Sequence, residues 1–248
     1  MNRLQGKRAL ITGGTTGIGL ETAREFIAEG ARVVITGNSA ANLDEAAKIL
    51  SDKVLIIRSD ASDIAAQATL AQQIKTSLGG LDVVFVNAGV AEFRPLEGWD
   101  AAAFDRSFNI NVRGPYFLLQ TLLPLLANPA SIVLNASINA HIGMPNSSVY
   151  AATKAALLSL AKTLSGELIG RGIRVNAVSP GPISTPLYGK LGMTPEQLDE
   201  TAKGILGMVK AGRFGDASEI AKAVVYLASD ETRFAVGSEL IIDGGLSL

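Results

Sequence analysis

Tyr150 and Lys154 stand four residues apart in a segment with helical patterning, so their side chains share one face and can enter one cleft. A free phenol, with a pKa of about 10, is a poor acid–base group near neutrality. An ammonium one helical turn away favours the phenolate, and an oxidised nicotinamide beside it would add a second positive charge. Tyr150 could then give a proton to a carbonyl oxygen or take one from an alcohol. Ser137, thirteen residues earlier and just after an apolar run, can hydrogen-bond the same oxygen and orient it for hydride attack.

A second constellation lies at the N-terminal end, where Thr12-Gly13-Gly14-Thr15-Thr16-Gly17-Ile18-Gly19 follows the apolar run Ala9-Leu10-Ile11. A glycine-rich turn between a strand and a helix brings backbone N–H groups close to a pyrophosphate, and the helix presents its positive dipole end. The spacing of Gly13, Gly17 and Gly19 differs from Gly-x-Gly-x-x-Gly, and a tight turn without a ligand is the plainer alternative. The strand–turn–helix setting favours the nucleotide. Sites for NAD carry Asp or Glu about 20 residues beyond the glycines. Here the second strand ends Thr36-Gly37-Asn38-Ser39, with no acid between Gly30 and Leu43. The only arginine of that interval, Arg32, lies at the wrong end of the strand. Thr15, Asn38 and Ser39 offer neutral hydrogen bonds, weaker than charge-assisted ones. The expectation is NADP(H), with NAD(H) as the other admissible cofactor.

These residues must be positioned by the elements around them. Apolar, β-branched runs at Ala9–Ile11, Val33–Ile35, Val54–Ile57, Val83–Val86, Ile132–Leu134, Ile173–Val175 and Leu240–Ile242 alternate with longer amphipathic segments. Continuously apolar strands separated by helices predict a parallel sheet covered on both faces, a doubly wound α/β fold. The expected organisation is one domain over 1–248. Gly17–Glu29 reads as a helix with Ile18, Ala23, Phe26 and Ile27 inward and Gly30 ending it in a left-handed conformation. Asn146, Ser147 and Ser148 are the alternative N-caps of the helix bearing Tyr150. The Pro- and Gly-rich stretch from Pro180 to Thr194 predicts a substrate lid, extending over about 182–210.

Composition excludes several functions. The 248 residues include 48% hydrophobic and 18% charged residues with a net charge of −1, ample for a core and without attraction to nucleic acid or anionic lipid. No cysteine means no disulfide scaffold, thiol nucleophile or thiolate metal site, and one histidine argues against a histidine metal centre. No signal peptide is read at the N-terminus, and the most apolar stretch, Tyr116–Val133, is too interrupted to span a membrane. The expected setting is cytoplasmic.

In chain order, Thr12–Gly19, Asn87-Ala88-Gly89, Asn111, Ser137, Tyr150-Ala151-Ala152-Thr153-Lys154, Pro180-Gly181 and Asp243-Gly244-Gly245 resemble the short-chain dehydrogenase/reductase superfamily over essentially the whole chain. The resemblance implies a seven-stranded Rossmann-like domain whose cofactor and substrate meet at the strands' carboxyl ends. It implies a catalytic tetrad of Asn111, Ser137, Tyr150 and Lys154, with Lys154 also contacting the nicotinamide ribose and Asn111 helping to hold a water that leads protons to it. Cofactor contacts are implied for Gly13, Thr15, Thr16, Gly17, Ile18 and Gly19, and for Asp60 with Ala61 near the adenine; Gly37, Asn38 and Ser39 join them from the reading of the second strand's end. Asn87, Ala88 and Gly89 fit either an approach to the adenosine or an ordinary turn. Pro180, Gly181, Ile183 and Thr185 complete the set by resemblance, with Ile183 and Thr185 near the carboxamide. A homotetramer is the implied assembly.

Taken singly, Tyr150 reads as a buried aromatic, Lys154 as a solvated helix residue, Ser137 as a strand-end hydroxyl and Asn111 as a polar cap. Their joint occurrence with the phosphate loop favours an NAD(P)(H)-dependent oxidoreductase acting on a small carbonyl or alcohol. A 3-oxoacyl-carrier-protein reductase is the nearest alternative, with Arg94, Arg106 and Arg113 as candidates to receive an acidic carrier. A catalytically silent redox sensor is the third. His141 reads as packing or surface, and Asn139, Met144, Tyr188 and Met193 as pocket candidates by their segments alone.

Overall fold

The computed structural model describes residues 2–186 and 194–248. The seven apolar runs become the strands of one sheet in the order β3-β2-β1-β4-β5-β6-β9, with every neighbouring pair parallel. These are β1 (Arg8–Ile11), β2 (Arg32–Gly37), β3 (Val54–Arg58), β4 (Leu81–Val86), β5 (Leu126–Asn135), β6 (Ile173–Pro180) and β9 (Glu239–Ile242). The strand order reverses between β1 and β4, which opens a crevice at the carboxyl ends of the strands, where such sheets bind ligands.

Alternation along the strands supplies two cores. Leu10, Val34, Val84, Ile132 and Val175 face helices α3 (Gln67–Leu78), α5 (Gly114–Leu122) and α6 (Ser148–Leu168). Ile11, Ile35, Phe85, Val133 and Val178 face α1 (Gly17–Ala28), α2 (Ala40–Leu50) and α8 (Ala217–Ala228). Ala23 and Phe26 are buried in α1, while Ile18 and Ile27 pack partly buried against the same core. Gly30 ends the α1 connection at φ +88°, in the left-handed region expected of it.

Three details differ from the sequence expectations. First, β5 begins at Leu126, six residues before its apolar run, because Leu81 pairs with Leu126 ahead of a register shift that restarts the ladder at Val83–Ser131. Second, no side chain caps α6: Ser147 occupies the N-cap position, but its hydroxyl donates to the Met144 carbonyl at 2.7 Å. Third, the sheet is accompanied by a two-residue parallel ladder, β7 (Ile183–Ser184) at the start of the expected lid region with β8 (Gly215–Asp216) beyond its end. The ladder ties the start of that region to the N-terminus of α8. The remaining helices are α4 (Ala101–Phe108), followed by a π-helical turn over Asn109–Arg113, and α7 (Pro195–Met208).

Candidate active site

A cleft of about 370 Å³ opens at the sheet's carboxyl end, a volume suited to a cofactor or small ligand. Its floor is the glycine turn. Gly13 adopts φ +62°, and the turn is gripped from β4: the Thr12 hydroxyl accepts from Asn87 N and Ala88 N at 2.9 and 3.0 Å. The Asn87 amide donates to the carbonyls of Thr12 and Gly13 at 3.0 and 3.1 Å. Asn87 thus spends its amide holding the loop, while Ala88 and Gly89 line the cleft beside it. Thr15, Thr16, Gly17 and Ile18 line the cleft at the start of α1. The Thr16 N-cap makes no side-chain capping bond and the first turn holds no acid, so backbone donors at this helix end remain for an anion.

Gly19 does not line the cleft. A Cβ there would lie 2.2 Å from the Gly13 carbonyl oxygen and 2.6 Å from the Asn87 amide nitrogen. Backbone cannot yield as a flexible side chain does, so Gly19→Ala is expected to cost about 3 kcal/mol, at the upper end of overpacking penalties. Thermal unfolding, together with nucleotide titration, checks this; a melting temperature within 1–2 °C of the parent, against the drop of about 6–12 °C expected for that cost, would overturn it.

Ser137, Tyr150 and Lys154 line the same cleft, brought there by the end of β5 and the first turns of α6. Ser137 is buried, and its hydroxyl accepts from Asn139 N at 3.2 Å. The Tyr150 ring lies 5.7 Å from that of Phe93, tilted by 60°, and the Lys154 ammonium sits 5.6 Å from its centroid. Lys154 is only 5% exposed and donates to the Asn135 carbonyl at 2.6 Å. Burial pulls its pKa down to about 8.

Asn111 lies behind the cleft wall, in the π-helical turn. Its Oδ1 accepts from Val90 N at 2.8 Å, and its Nδ2 donates to Val90 O at 2.9 Å and to the Thr153 hydroxyl at 3.1 Å. Thr153 in turn donates to the Tyr150 carbonyl at 2.7 Å. The side chain therefore clamps the segment after Gly89 to the helix that bears Tyr150.

At the opposite end, Gly37, Asn38, Asp60 and Ala61 line the cleft. Asp60 accepts from the Ser62 hydroxyl and N–H at 2.6 and 2.8 Å, and with the Asn38 amide these bonds hold its carboxyl below the usual range. Asn38 is thus partly committed to Asp60 rather than free for a phosphate. Ser39 is not among the lining residues; its hydroxyl caps α2 by accepting from Asn42 N at 3.4 Å. Pro180, Gly181, Ile183 and Thr185 line the third side. Gly181 N donates to Ile242 O at 2.8 Å, joining this wall to the Asp243-Gly244-Gly245 turn.

Two residues absent from the sequence reading belong to this site. Asn135, whose carbonyl holds Lys154, donates its amide to Asn87 Oδ1 at 2.9 Å, linking the lysine to the glycine loop. Gln67, 2% exposed, donates to Gly114 O at 3.0 Å from the cleft wall. Asn135 Oδ1 and Gln67 Oε1 are buried without a hydrogen-bond partner among the described residues. Such orphaned acceptors beside a polar cleft, with free donors at a helix N-terminus, fit a ligand rich in both donors and anionic oxygens.

The remaining expectations divide. His141 hydrogen-bonds Glu239 at 2.6 Å and does not line the cleft, as a surface role required. Asn139 is buried beside Ser137 but, like Met144, is not part of the lining. Tyr188 and Met193 lie outside the described residues. Arg94 pairs with Glu92 and Asp100, Arg106 with Glu92, and Arg113 lies 5.7 Å over the Phe117 ring.

Residues 13–247 match the family model described as Enoyl-(Acyl carrier protein) reductase. The NADP-dependent (R)-specific alcohol dehydrogenase of Lentilactobacillus kefiri is 36% identical over 251 residues, covering 98% of each chain. The 3-oxoacyl-(acyl-carrier-protein) reductase FabG of Thermotoga maritima is 37% identical over 249 residues, covering 98% of this chain and 99% of its own. Among solved structures, a blue fluorescent protein from a metagenomic library in complex with NADPH aligns with a TM-score of 0.90 at 31% identity, covering 99% of this chain and 100% of its own. The short-chain dehydrogenase/reductase of Serratia marcescens aligns at 0.91 and 33%, with the same coverage. The family-model match over residues 13–247, and relatives and solved structures aligned along nearly the whole chain, place this chain, with its glycine turn, Ser137, Tyr150 and Lys154 around one cleft, in the short-chain dehydrogenase/reductase superfamily.

Proposed function

We propose that this protein reduces a free carbonyl compound, or oxidises the corresponding alcohol, with NADP(H) as the preferred nicotinamide cofactor. The observation that carries the reading is the meeting of the glycine turn with Ser137, Tyr150 and a buried Lys154 in one cleft. A nicotinamide nucleotide supplies or accepts the hydride when bound. Thr15, Thr16, Gly17 and Ile18 would hold its pyrophosphate, Gly37, Asn38, Asp60 and Ala61 its adenosine end, and Ile183 and Thr185 its carboxamide end. Ser137 orients the substrate oxygen, and Tyr150 gives or takes the proton there. Lys154 stabilises the phenolate, with a water at the Asn109–Arg113 turn returning protons to it. Asn111 positions that turn.

We read the segment 182–210 as the substrate lid; its start is tied to the N-terminus of α8 by the β7–β8 ladder, and its residues 187–193 lie outside the described residues. The absence of an acid in the Thr36–Ser39 turn supports NADP(H), as does the cofactor named for the kefiri relative. We place the enzyme in the cytoplasm as a homotetramer; no described helix is long and apolar enough to cross a membrane, and Phe108, Tyr116, Phe117 and Leu160 form an apolar surface groove suited to a second copy.

A carrier-linked 3-oxoacyl substrate is the second reading, favoured by the names of the family model and the Thermotoga relative. Against it stands the pairing of Arg94 and Arg106 with Glu92 and Asp100, which neutralises two of the three candidate docking cations. The test is oxidation of NADPH and NADH, separately, with ketones, aldehydes, sugars and acyl thioesters. Turnover of free ketones with NADPH at a tenfold or greater advantage in kcat/KM over NADH is the expected result. Turnover confined to acyl thioesters would transfer the assignment to the second reading.

A further inference from the structure

The sequence offers no cation near Gly37 for a 2′-phosphate, but the sheet does. β2 and β3 pair in parallel register, with Val33 opposite Val54, Ile35 opposite Ile56 and Gly37 opposite Arg58. Residues opposite one another in neighbouring strands point to the same face, and Val33, Ile35, Val54 and Ile56 all belong to the core beneath α1 and α2. Two residues further on, the alternation puts Gly37 and Arg58 on that face too. The ladder is held to its end by Ser59 N donating to Gly37 O at 2.9 Å.

Gly37 abuts the glycine turn: a Cβ there would lie 2.7 Å from the Thr15 methyl. On the same face α2 begins three residues later, and Asn42 in its first turn lines the cleft. Arg58 therefore stands one strand spacing, about 4.8 Å, from the ribose end of the cleft. Arg8, Arg94, Arg106, Arg213 and Arg233 each bind a carboxylate, whereas exposed Arg58 makes no hydrogen bond or ion pair among the described residues. The nearest acid in sequence, Asp60, is occupied by Ser62 and Asn38.

We infer that Arg58 is the cation that selects a 2′-phosphorylated adenosine, a specificity-determining residue contributed by β3 rather than by the glycine turn or the end of β2. The inference rests on the NADP(H) reading above. A guanidinium presents paired donors to phosphate oxygens, and charge-assisted bonds of this kind decide affinity where Thr15 and Asn42 offer only neutral contacts.

The test compares the purified protein with Arg58→Leu and Arg58→Lys, titrating adenosine 2′,5′-bisphosphate and AMP by calorimetry and measuring KM for NADPH and NADH. Arg58→Leu is expected to weaken adenosine 2′,5′-bisphosphate and NADPH by roughly tenfold to a hundredfold. AMP, NADH and the melting temperature should stay at parent values, with Arg58→Lys intermediate. A parent protein that prefers NADPH while Arg58→Leu keeps the same preference overturns the inference and leaves the NADP(H) reading standing. A parent protein that prefers NADH overturns both.

Discussion

Tyr150→Phe is expected to lower turnover by about 10²–10⁴-fold, the usual contribution of a positioned proton donor, with nucleotide affinity and melting temperature unchanged. The substitution keeps the ring, and with it the contact to Phe93 at 5.7 Å and the place of the Lys154 ammonium 5.6 Å from the centroid. Only the hydroxyl is lost, and with it the group that gives a proton to the substrate oxygen in the proposed mechanism. Nicotinamide oxidation rates, thermal unfolding and nucleotide titration on the same preparation separate chemistry from folding and binding. Turnover within threefold of the parent would remove Tyr150 from the proposed mechanism. Loss of nucleotide binding in parallel with activity would assign the residue to the cofactor site instead.

The second large effect concerns Lys154, and stability and activity move differently. Its ammonium is buried, and burial lowers its pKa from 10.5 to about 8. Between those two values the unfolded chain binds more protons than the folded one, so the Lys154 contribution makes stability rise with pH through that window. Below pH 8 the folded protein bears the full cost of the buried charge, about 3 kcal/mol. Lys154→Met removes that cost but leaves the Asn135 carbonyl without its donor, a penalty of about 1–3 kcal/mol. The variant is therefore expected to be as stable as the parent or slightly more so at pH 7, and to lack the parent's gain in stability between pH 8 and 10. Turnover should fall by about 10²-fold or more, because the phenolate loses its neighbouring cation. Denaturant unfolding at several pH values checks the first part and initial rates the second. Parallel stability–pH curves for the two proteins would show that Lys154 is not buried as a charged group.

Stability gained by deleting a functional charge is the ordinary relation between an active site and its scaffold. Here the scaffold's compensation is visible. Lys154 is held by Asn135, Asn135 by Asn87, and Asn87 by the carbonyls of the glycine turn. One chain of hydrogen bonds sets Lys154, and the helix that bears it, against the glycine turn.

The local chemistry was legible before folding. Tyr150 and Lys154 share a face because a helix returns every 3.6 residues, and both line the cleft. The glycine turn followed from the need for close backbone approach, and the seven apolar runs from the needs of a sheet buried on both faces. Each of these signals lies within a window of a few residues. The β5 start at Leu126 had no such signal, because Asn128 and Pro129 interrupt the apolar pattern and pairing with Leu81 supplies the ladder instead. The Ser147 cap failed for a related reason: the Met144 carbonyl competes for its hydroxyl.

What the sequence determined by itself was the fold class, the glycine turn and the Ser137, Tyr150 and Lys154 set, all encoded by periodicity and spacing along one stretch of chain. The tertiary structure alone decided which polar groups meet across the sheet. It placed Gly19 against Gly13 and Asn87, made Asn135 the holder of Lys154, turned Asn111 onto Val90 and Thr153, and set Arg58 beside Gly37. Strand order and register bring Gly19 to Asn87, Lys154 to Asn135, Asn111 to Val90 and Thr153, and Arg58 to Gly37 across 19 to 68 positions of sequence, and they are set by the packing of two whole cores, a property no local window contains.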